Sequence, residues 1–242
     1  MIATPQALTI TWEPLPEDYC LPDDPVDNLT QSLLAEALTN AFRHHLDSTE
    51  PHLIATNYGI CATLNDKIVV KAPDWVYVPH VAAPPETIER SYTPQVHGGT
   101  PLVVMEFISA TEGGEYSIKP TYPPGKWYFY ERVLQVPVYV IFNPVQSLLE
   151  LYRLDENGRY QLQTPDAAER HWLPELGLAL GSWQGEGFGR SGDWLRWWDE
   201  SGNLLLWDSE RAEQERERAE QERARAERLL AQLRAAGLDP EA

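Results

Sequence analysis

The sequence is poor in the residues that build several common kinds of site. Its 242 residues include two cysteines, Cys20 and Cys61, which make neither a disulfide framework nor a CxxC metal pair, so we expect two ordinary thiols. Its six histidines show no HExxH spacing, and no phosphate-binding glycine pattern or GxSxG motif occurs. Zinc-hydrolase, nucleotide-hydrolase and serine-hydrolase chemistry therefore have no support.

Long apolar runs are also lacking. The chain has no stretch of about 20 uncharged apolar residues and no apolar N-terminal run of the signal-peptide type. We therefore expect neither a membrane span nor secretion, and the default location is the cytoplasm.

Positive charge is scarce. The chain has 19 lysines and arginines against 37 acidic residues, which gives a formal net charge of −18. Seven of the basic residues, all arginines, lie beyond residue 208, so only twelve remain for the rest of the chain. A basic face that neutralises phosphates is typical of nucleic-acid binding. A protein this acidic could still act on a polyanion through bound divalent cations, but long-range attraction toward DNA would be unfavourable.

The residues that are present favour an α/β core. With 43% apolar residues, the chain can bury one sizeable core. The spacing of these residues predicts a helix, three strands, a second helix and a further strand that is buried on both faces. After an extended, proline-rich lead-in, we expect the first helix at residues 27–46 and the second at 126–135. Strands are expected around a turn at 65–66, after Pro73, at 101–109 and at 136–144, with a long loop over 79–100.

Two hairpins and a charged helix are predicted beyond this core. The hairpins turn at residues 156–158 and at 201–202. Four tryptophans could form a base-stacking or sugar-binding platform, but we interpret them as the packed face of the second hairpin: Trp194, Trp197, Trp198 and Trp207. The composition changes near Glu210, so the expected units are a domain over 1–208 and a charged helical tail over 209–242.

The tail has a weak coiled-coil pattern. Alanine or leucine recurs every seven residues, but most of the other seam positions are glutamates. This favours a solvated helix held by pairs of glutamate and arginine four residues apart. Three leucines near its end leave self-association into a homo-oligomer open: Leu229, Leu230 and Leu233.

One acidic residue stands inside an apolar strand. The stretch PLVVMEFIS, residues 101–109, is interrupted only by Glu106. A charge inside such a strand costs several kcal/mol unless it meets a metal, a cation or good hydrogen-bond donors. An ion pair of Glu106 with Lys126, Lys119 or an arginine is one interpretation, and a metal site is the other.

The metal interpretation draws on two further residues. Asp74 opens a neighbouring predicted strand, and two carboxylates on adjacent strands can hold Mg²⁺ or Mn²⁺ through oxygen ligands. Lys126 begins the predicted second helix, where its amine and the positive end of the helix dipole could meet a phosphate. Glu106 would then face a cation shared with Asp74.

At these residues the sequence resembles the Uma-two family of restriction-endonuclease-like proteins, within the PD-(D/E)XK nuclease superfamily. Lys126 and Tyr130 keep the family's spacing, and the other matching stretches are PD at 73–74, VVMEFIS at 103–109, GKWYFY at 125–130 and VPVYVIFNP at 136–144. The resemblance implies a restriction-endonuclease-like core, metal binding by Asp74 and Glu106, and Lys126 as the catalytic lysine. The implied function is hydrolysis of nucleic acid, with DNA preferred, by a water that Mg²⁺ or Mn²⁺ activates.

Several positions depart from the family pattern. The general superfamily lysine place, two residues after the buried glutamate, is Ile108, and the usual acids of the last core strand are replaced by Asn143 and Val138. Lys119 is a rival for the lysine role, whereas Glu36 of the first helix is rejected because it falls on the polar side. A non-catalytic binding or assembly protein on a retained nuclease fold therefore stays open.

Overall fold

The structure, a computed structural model, describes residues 9–14, 16, 29–46, 50–108 and 114–236. It shows a mixed α/β fold with several sheets and few helices. The helices are α1 (Leu29–Arg43), α2 (Lys126–Tyr128, continued by wider π-helical turns over Phe129–Leu134) and α3 (Asp208–Ala235). The strands are β1 (Ile10–Thr11), β2 (Leu53–Ala55), β3 (Gly59–Leu64), β4 (Lys67–Lys71), β5 (Trp75–Val78), β6 (Ser91–Tyr92), β7 (Val103–Phe107), β8 (Val138–Asn143), β9 (Leu148–Leu154), β10 (Tyr160–Leu162), β11 (Arg170–Leu173), β12 (Leu178–Gly187) and β13 (Arg190–Trp198).

A six-stranded sheet forms the centre, in the order β10-β9-β8-β7-β5-β2. Its strands are antiparallel except β7 and β8, which are parallel and joined through α2. Parallel neighbours need a crossover connection of this kind. The prediction of a final core strand buried on both faces is confirmed, because every residue from Val138 to Phe142 is buried.

The two faces of the central sheet bury separate apolar clusters. Successive side chains of a strand point to opposite faces, so each strand contributes to both clusters. One face packs against α1 and a three-stranded sheet of β11, β12 and β13. The other packs against α2 and a small sheet of β1, β3, β4 and β6. Val104 belongs to this second face, and Glu106, two residues further along β7, points the same way.

The first helix and the first hairpin follow the sequence pattern, with shorter bounds. The helix covers Leu29–Arg43 within the predicted 27–46, and residues 27–28 lie outside the described residues, as does Cys20. Strands β9 and β10 pair around the turn predicted at 156–158. The strand pair around 65–66 is also confirmed, as β3 and β4.

The second predicted hairpin turns where expected, at residues 201–202, but its second arm is short: the Asp199 N–H donates to the Asn203 carbonyl and the Leu205 N–H to the Trp197 carbonyl. The pairing that the sequence does not predict is on the other side of β13, which pairs along its whole length with the preceding β12, while Trp198 bridges Leu204 after the turn. The sequence of β12, LALGSWQGEG, hides this strand because glycine has a low β-propensity and obscures the alternation. The packing interpretation of the four tryptophans is confirmed, since all four are buried.

The charged helix α3 runs out from this body, and along its described length none of its residues is buried. Its first turn is attached through Glu210, which forms an ion pair with the fully buried Arg196. Trp207, directly before the helix, donates its ring N–H to the Ala37 carbonyl of α1 at 3.0 Å. None of the helices in the described ranges has both the length and the apolar character to cross a membrane.

Candidate active site

The start of β5 brings Asp74 beside Glu106 of β7. The two strands are antiparallel, and Trp75 pairs with Met105. One step beyond that pair, Asp74 lies opposite Glu106, and opposite residues of antiparallel strands share a face. Asp74 Oδ2 accepts a hydrogen bond of 2.5 Å from the backbone N–H of Phe107. This bond holds the carboxylate at the end of β7.

Helix α2 supplies two donors to Glu106. Lys126 Nζ lies 3.0 Å from Glu106 Oε2, and the Tyr130 hydroxyl donates to Glu106 Oε1 at 2.9 Å. Residues four apart on a helix lie on the same side, so one helix face presents both groups. The Glu106 side chain is 0% exposed, and each of its oxygens is hydrogen-bonded inside the protein.

The segment over residues 114–125, called the covering segment below, closes this face of the sheet. Its Tyr116 ring stacks on Trp127 of α2, with centroids 6.3 Å apart. At its end, Gly125 caps α2 in an extended conformation. A Cβ on Gly125 would lie 2.0 Å from the carbonyl oxygen of Ser117, so only glycine allows this close approach.

The covering segment also contributes a third acid. Glu115 is buried, and its backbone carbonyl accepts a hydrogen bond of 2.9 Å from the Tyr139 hydroxyl. Its carboxylate interacts electrostatically with Lys126 and with Glu106. Three acidic residues, Asp74, Glu106 and Glu115, therefore share the field of one amine.

The electrostatics of the site favour a charged lysine. Burial alone lowers the pKa of the Lys126 amine, but Glu106, Asp74 and Glu115 outweigh that effect and raise the pKa above its ordinary value. Burial raises the pKa of Glu106, although Lys126 and Tyr130 both favour its ionised form. Burial and the nearby Glu106 raise the pKa of Tyr130 well above its ordinary value, so the hydroxyl keeps the proton that it donates.

A residue of α1 completes the support of β7. Gln31 is buried, and its side-chain N–H donates to the Phe107 carbonyl at 2.8 Å. Both backbone groups of Phe107 are thus held by side chains, the N–H by Asp74 and the carbonyl by Gln31. Glu36, on the same helix, is exposed, in agreement with its rejection from the sequence.

The carboxylate oxygens of Asp74 and Glu106 are chemically suited to bind a divalent cation such as Mg²⁺. Carboxylate oxygens are the ligands that such cations prefer, and Mg²⁺ is commonly bound through one or two carboxylates together with water and phosphate oxygens. The Lys126 ammonium supplies the positive charge that the buried Glu106 carboxylate requires. Among the side chains that the structure describes, no group of three or more His, Cys, Asp or Glu residues is placed to hold a metal ion by itself.

The structure brings the three predicted residues together and identifies the lysine that pairs with Glu106. The ion pair proposed for Glu106 is confirmed, and its partner is Lys126. Lys119 is exposed in the covering segment. Ile108 packs against the apolar cluster of the second face, so the superfamily's usual lysine place holds an apolar side chain. The roles of Asp74, Glu106 and Lys126 in metal binding and catalysis stay predictions.

Three contributors were missed from the sequence. Tyr130 enters the sequence pattern only through its spacing from Lys126, and that spacing of four on a helix indicates that both residues face the same group. Glu115 lies in a stretch without a regular period, where no pattern indicates which way a side chain points. Gln31 lies on the buried side of α1, where a polar residue among apolar ones indicates a buried hydrogen bond.

Comparison with known protein families gives a match that covers most of the chain. A family model described as "Uma2: Putative restriction endonuclease" matches residues 21–185, which is more than half of the chain and includes Asp74, Glu106 and Lys126. No curated protein matches the chain.

Proposed function

Since the chain belongs to the Uma2 family of restriction-endonuclease-like proteins, we propose that it is a metal-dependent endonuclease with Asp74, Glu106 and Lys126 as its catalytic residues. The observation that carries this proposal is the placement of Glu106. A fully buried carboxylate opposite Asp74 and 3.0 Å from the Lys126 amine joins the family's three characteristic residues in one place.

The proposed catalytic core is restriction-endonuclease-like, with a helix, three strands, a second helix and a further strand, and we assign α1, β5, β7, α2 and β8 to it. Asp74 and Glu106 lie toward the end of the sheet where the parallel pair β7 and β8 finishes. Ligands of open α/β sheets bind outside the carboxyl ends of such strands. We further propose residues 1–208 as the nuclease-like domain and residues 209–242 as a helical tail.

In this proposal Asp74 and Glu106 hold Mg²⁺ or Mn²⁺. Such an ion, when bound, activates water as a nucleophile near neutral pH and polarises a phosphoryl oxygen. The chain's own residues do the positioning. Phe107 fixes Asp74, Tyr130 orients Glu106, and the Lys126 amine keeps its positive charge for a phosphate oxygen of the substrate.

The proposed substrate is nucleic acid, with DNA preferred, and the proposed location is the cytoplasm. The formal charge of −18 opposes long-range attraction of a polyanion, so we expect binding to depend on divalent cations as much as on basic side chains. This distinguishes the protein from nucleases that rely on a basic groove, whose binding weakens steeply with monovalent salt.

The experiment is a cleavage assay on single-stranded and double-stranded DNA and on RNA, with Mg²⁺ or Mn²⁺. We expect metal-dependent cleavage by the unaltered protein and a loss of at least about a hundredfold in Glu106→Gln and Lys126→Met. Lys119→Met, the same change on an exposed lysine, should cleave normally. Equal activity in all four proteins would refute the assignment.

A non-catalytic binding or assembly role is the second candidate, and one observation favours it. The two oxygens of Glu106 are already bonded within the protein, while α3 leaves three leucines partly exposed: Leu229, Leu230 and Leu233. Light scattering on the full chain and on a chain ending at Arg211, which keeps Glu210, measures tail-dependent assembly. Absence of cleavage together with loss of an oligomer on truncation would select this role.

A further inference from the structure

Each carboxylate oxygen of Glu106 already accepts a hydrogen bond inside the protein before any ion is bound. Lys126 Nζ is 3.0 Å from Oε2, and the Tyr130 hydroxyl is 2.9 Å from Oε1. The carboxylate is 0% exposed, so water cannot take the place of either donor. An ion that binds Glu106 must therefore displace one of these two groups or share an oxygen with it.

The side chains of Lys126 and Tyr130 differ in how easily they can move away from Glu106. Tyr130 is fully buried on a short rigid side chain, in ring contact with Phe129 and Tyr139. The Lys126 side chain is 23% exposed and has a flexible four-carbon stem, so its amine has a route to solvent. Oε2, the oxygen that Lys126 occupies, is the position where exchange can happen.

The charge around Lys126 also favours exchange. Three carboxylates, those of Asp74, Glu106 and Glu115, act on this single ammonium group. Electrostatic interactions are strong where water is largely excluded, so a single ammonium group beside three acidic side chains leaves a site that favours further positive charge. A dication would supply that charge, and a displaced ammonium would stay close to the same acidic side chains.

We propose that Lys126 is a built-in substitute for the divalent cation, that the two compete for Glu106 Oε2, and that occupation by the ion releases the Lys126 amine toward the substrate. The inference rests on the metal site of the proposed function and adds an order of events to it. Lys126 keeps Glu106 paired while the ion is absent, so the fold tolerates a buried carboxylate. The same lysine becomes available to a phosphate oxygen only when the ion is present.

Isothermal titration calorimetry with Mn²⁺ tests the competition without any measurement of activity. Lys126→Met should bind Mn²⁺ at least about tenfold more tightly than the unaltered protein, because a positive charge next to the ion is removed. Lys126→Arg, which keeps the charge, should bind no more tightly than the unaltered protein. Lys119→Met is the control for loss of a lysine elsewhere, and its dissociation constant should be unchanged.

A second measurement guards against loss of folding in Lys126→Met. Lys126→Gln keeps an N–H donor for Glu106, and the Mn²⁺-induced rise in its melting temperature should exceed that of the unaltered protein. In Lys126→Gln combined with Glu106→Gln, this extra rise should vanish.

The outcomes separate the inference from the proposed function. Equal Mn²⁺ affinity in the unaltered protein and Lys126→Met would overturn the competition and leave the metal site standing. No binding in any variant would overturn both. An undiminished Mn²⁺ effect in the double variant would place the ion away from Glu106, which also contradicts the inference.

Discussion

The attachment of α3 to the body depends on a buried ion pair whose loss should be costly. Arg196 is 0% exposed, and its two terminal nitrogens meet the Glu210 carboxylate at 3.0 and 2.6 Å. The guanidinium also lies 3.5 Å from the Trp207 ring centroid and donates to the Leu205 carbonyl. The Arg196 Nε finds no hydrogen-bond partner in the described part of the chain. Glu210 therefore provides most of the compensation for burying the charge of the Arg196 guanidinium.

The perturbation is Glu210→Gln, which keeps the shape and removes the charge. Removing one partner of a buried pair costs about 3–5 kcal/mol, and we expect about 3 kcal/mol because the Glu210 side chain is 29% exposed. The backbone N–H of Trp207, which donates to Glu210 at 2.8 Å, would lose part of its cap as well. The assay is urea unfolding followed by tryptophan fluorescence and far-UV circular dichroism.

A double variant makes this reasoning refutable. In Arg196→Met with Glu210→Gln no buried charge is left alone, so its stability should exceed that of Glu210→Gln by at least about 1 kcal/mol. Glu213→Gln, on the exposed surface of α3, should cost less than about 0.5 kcal/mol. A loss in Glu210→Gln no larger than in Glu213→Gln would show that Arg196 does not need its partner.

Three further predictions concern the site and its surroundings. Gly125→Ala should destabilise the protein by about 1–3 kcal/mol by overpacking, whereas Gly114→Ala, with open space around its Cβ, should change little; urea unfolding compares them. Tyr130→Phe should lower the free energy of unfolding by about 1.5–3 kcal/mol, because it removes a donor to a charged acceptor. Tyr139→Phe should cost less, because the Tyr139 hydroxyl donates to a neutral carbonyl. Similar losses in the two variants would contradict a charged Glu106 carboxylate. Burial lowers the pKa of His97, so its neutral form stabilises the folded state and stability should fall as the pH drops below about 6.5; in His97→Gln that fall should shrink.

The elements with a strong local pattern could be predicted from the sequence. The first helix has apolar residues at helical spacing, and VPVYVIFNP has the continuous apolar run of a doubly buried strand. Strand β12 could not be predicted, because its glycines break the alternation and its partner β13 supplies the order that its own sequence lacks. The sequence therefore predicts the turn that follows β13 but not the long pairing of β13 with β12.

The candidate site shows the same limit. Glu106 could be identified from the sequence, because an acidic residue inside an apolar strand requires a partner, and the family spacing indicates Lys126 as that partner. Glu115 could not be found in this way, because its position depends on the path of the covering segment and on the hydrogen bond of Tyr139 to its backbone. That each Glu106 oxygen accepts a hydrogen bond within the protein is likewise a property of packing rather than of sequence.

The most direct measurement is X-ray diffraction at the manganese edge from crystals of the protein grown with Mn²⁺. The account predicts an anomalous peak at metal–oxygen distance from both Asp74 and Glu106, with the Lys126 amine moved away from Oε2. Full occupancy of the ion at another position, with the Lys126–Glu106 pair intact, would contradict it.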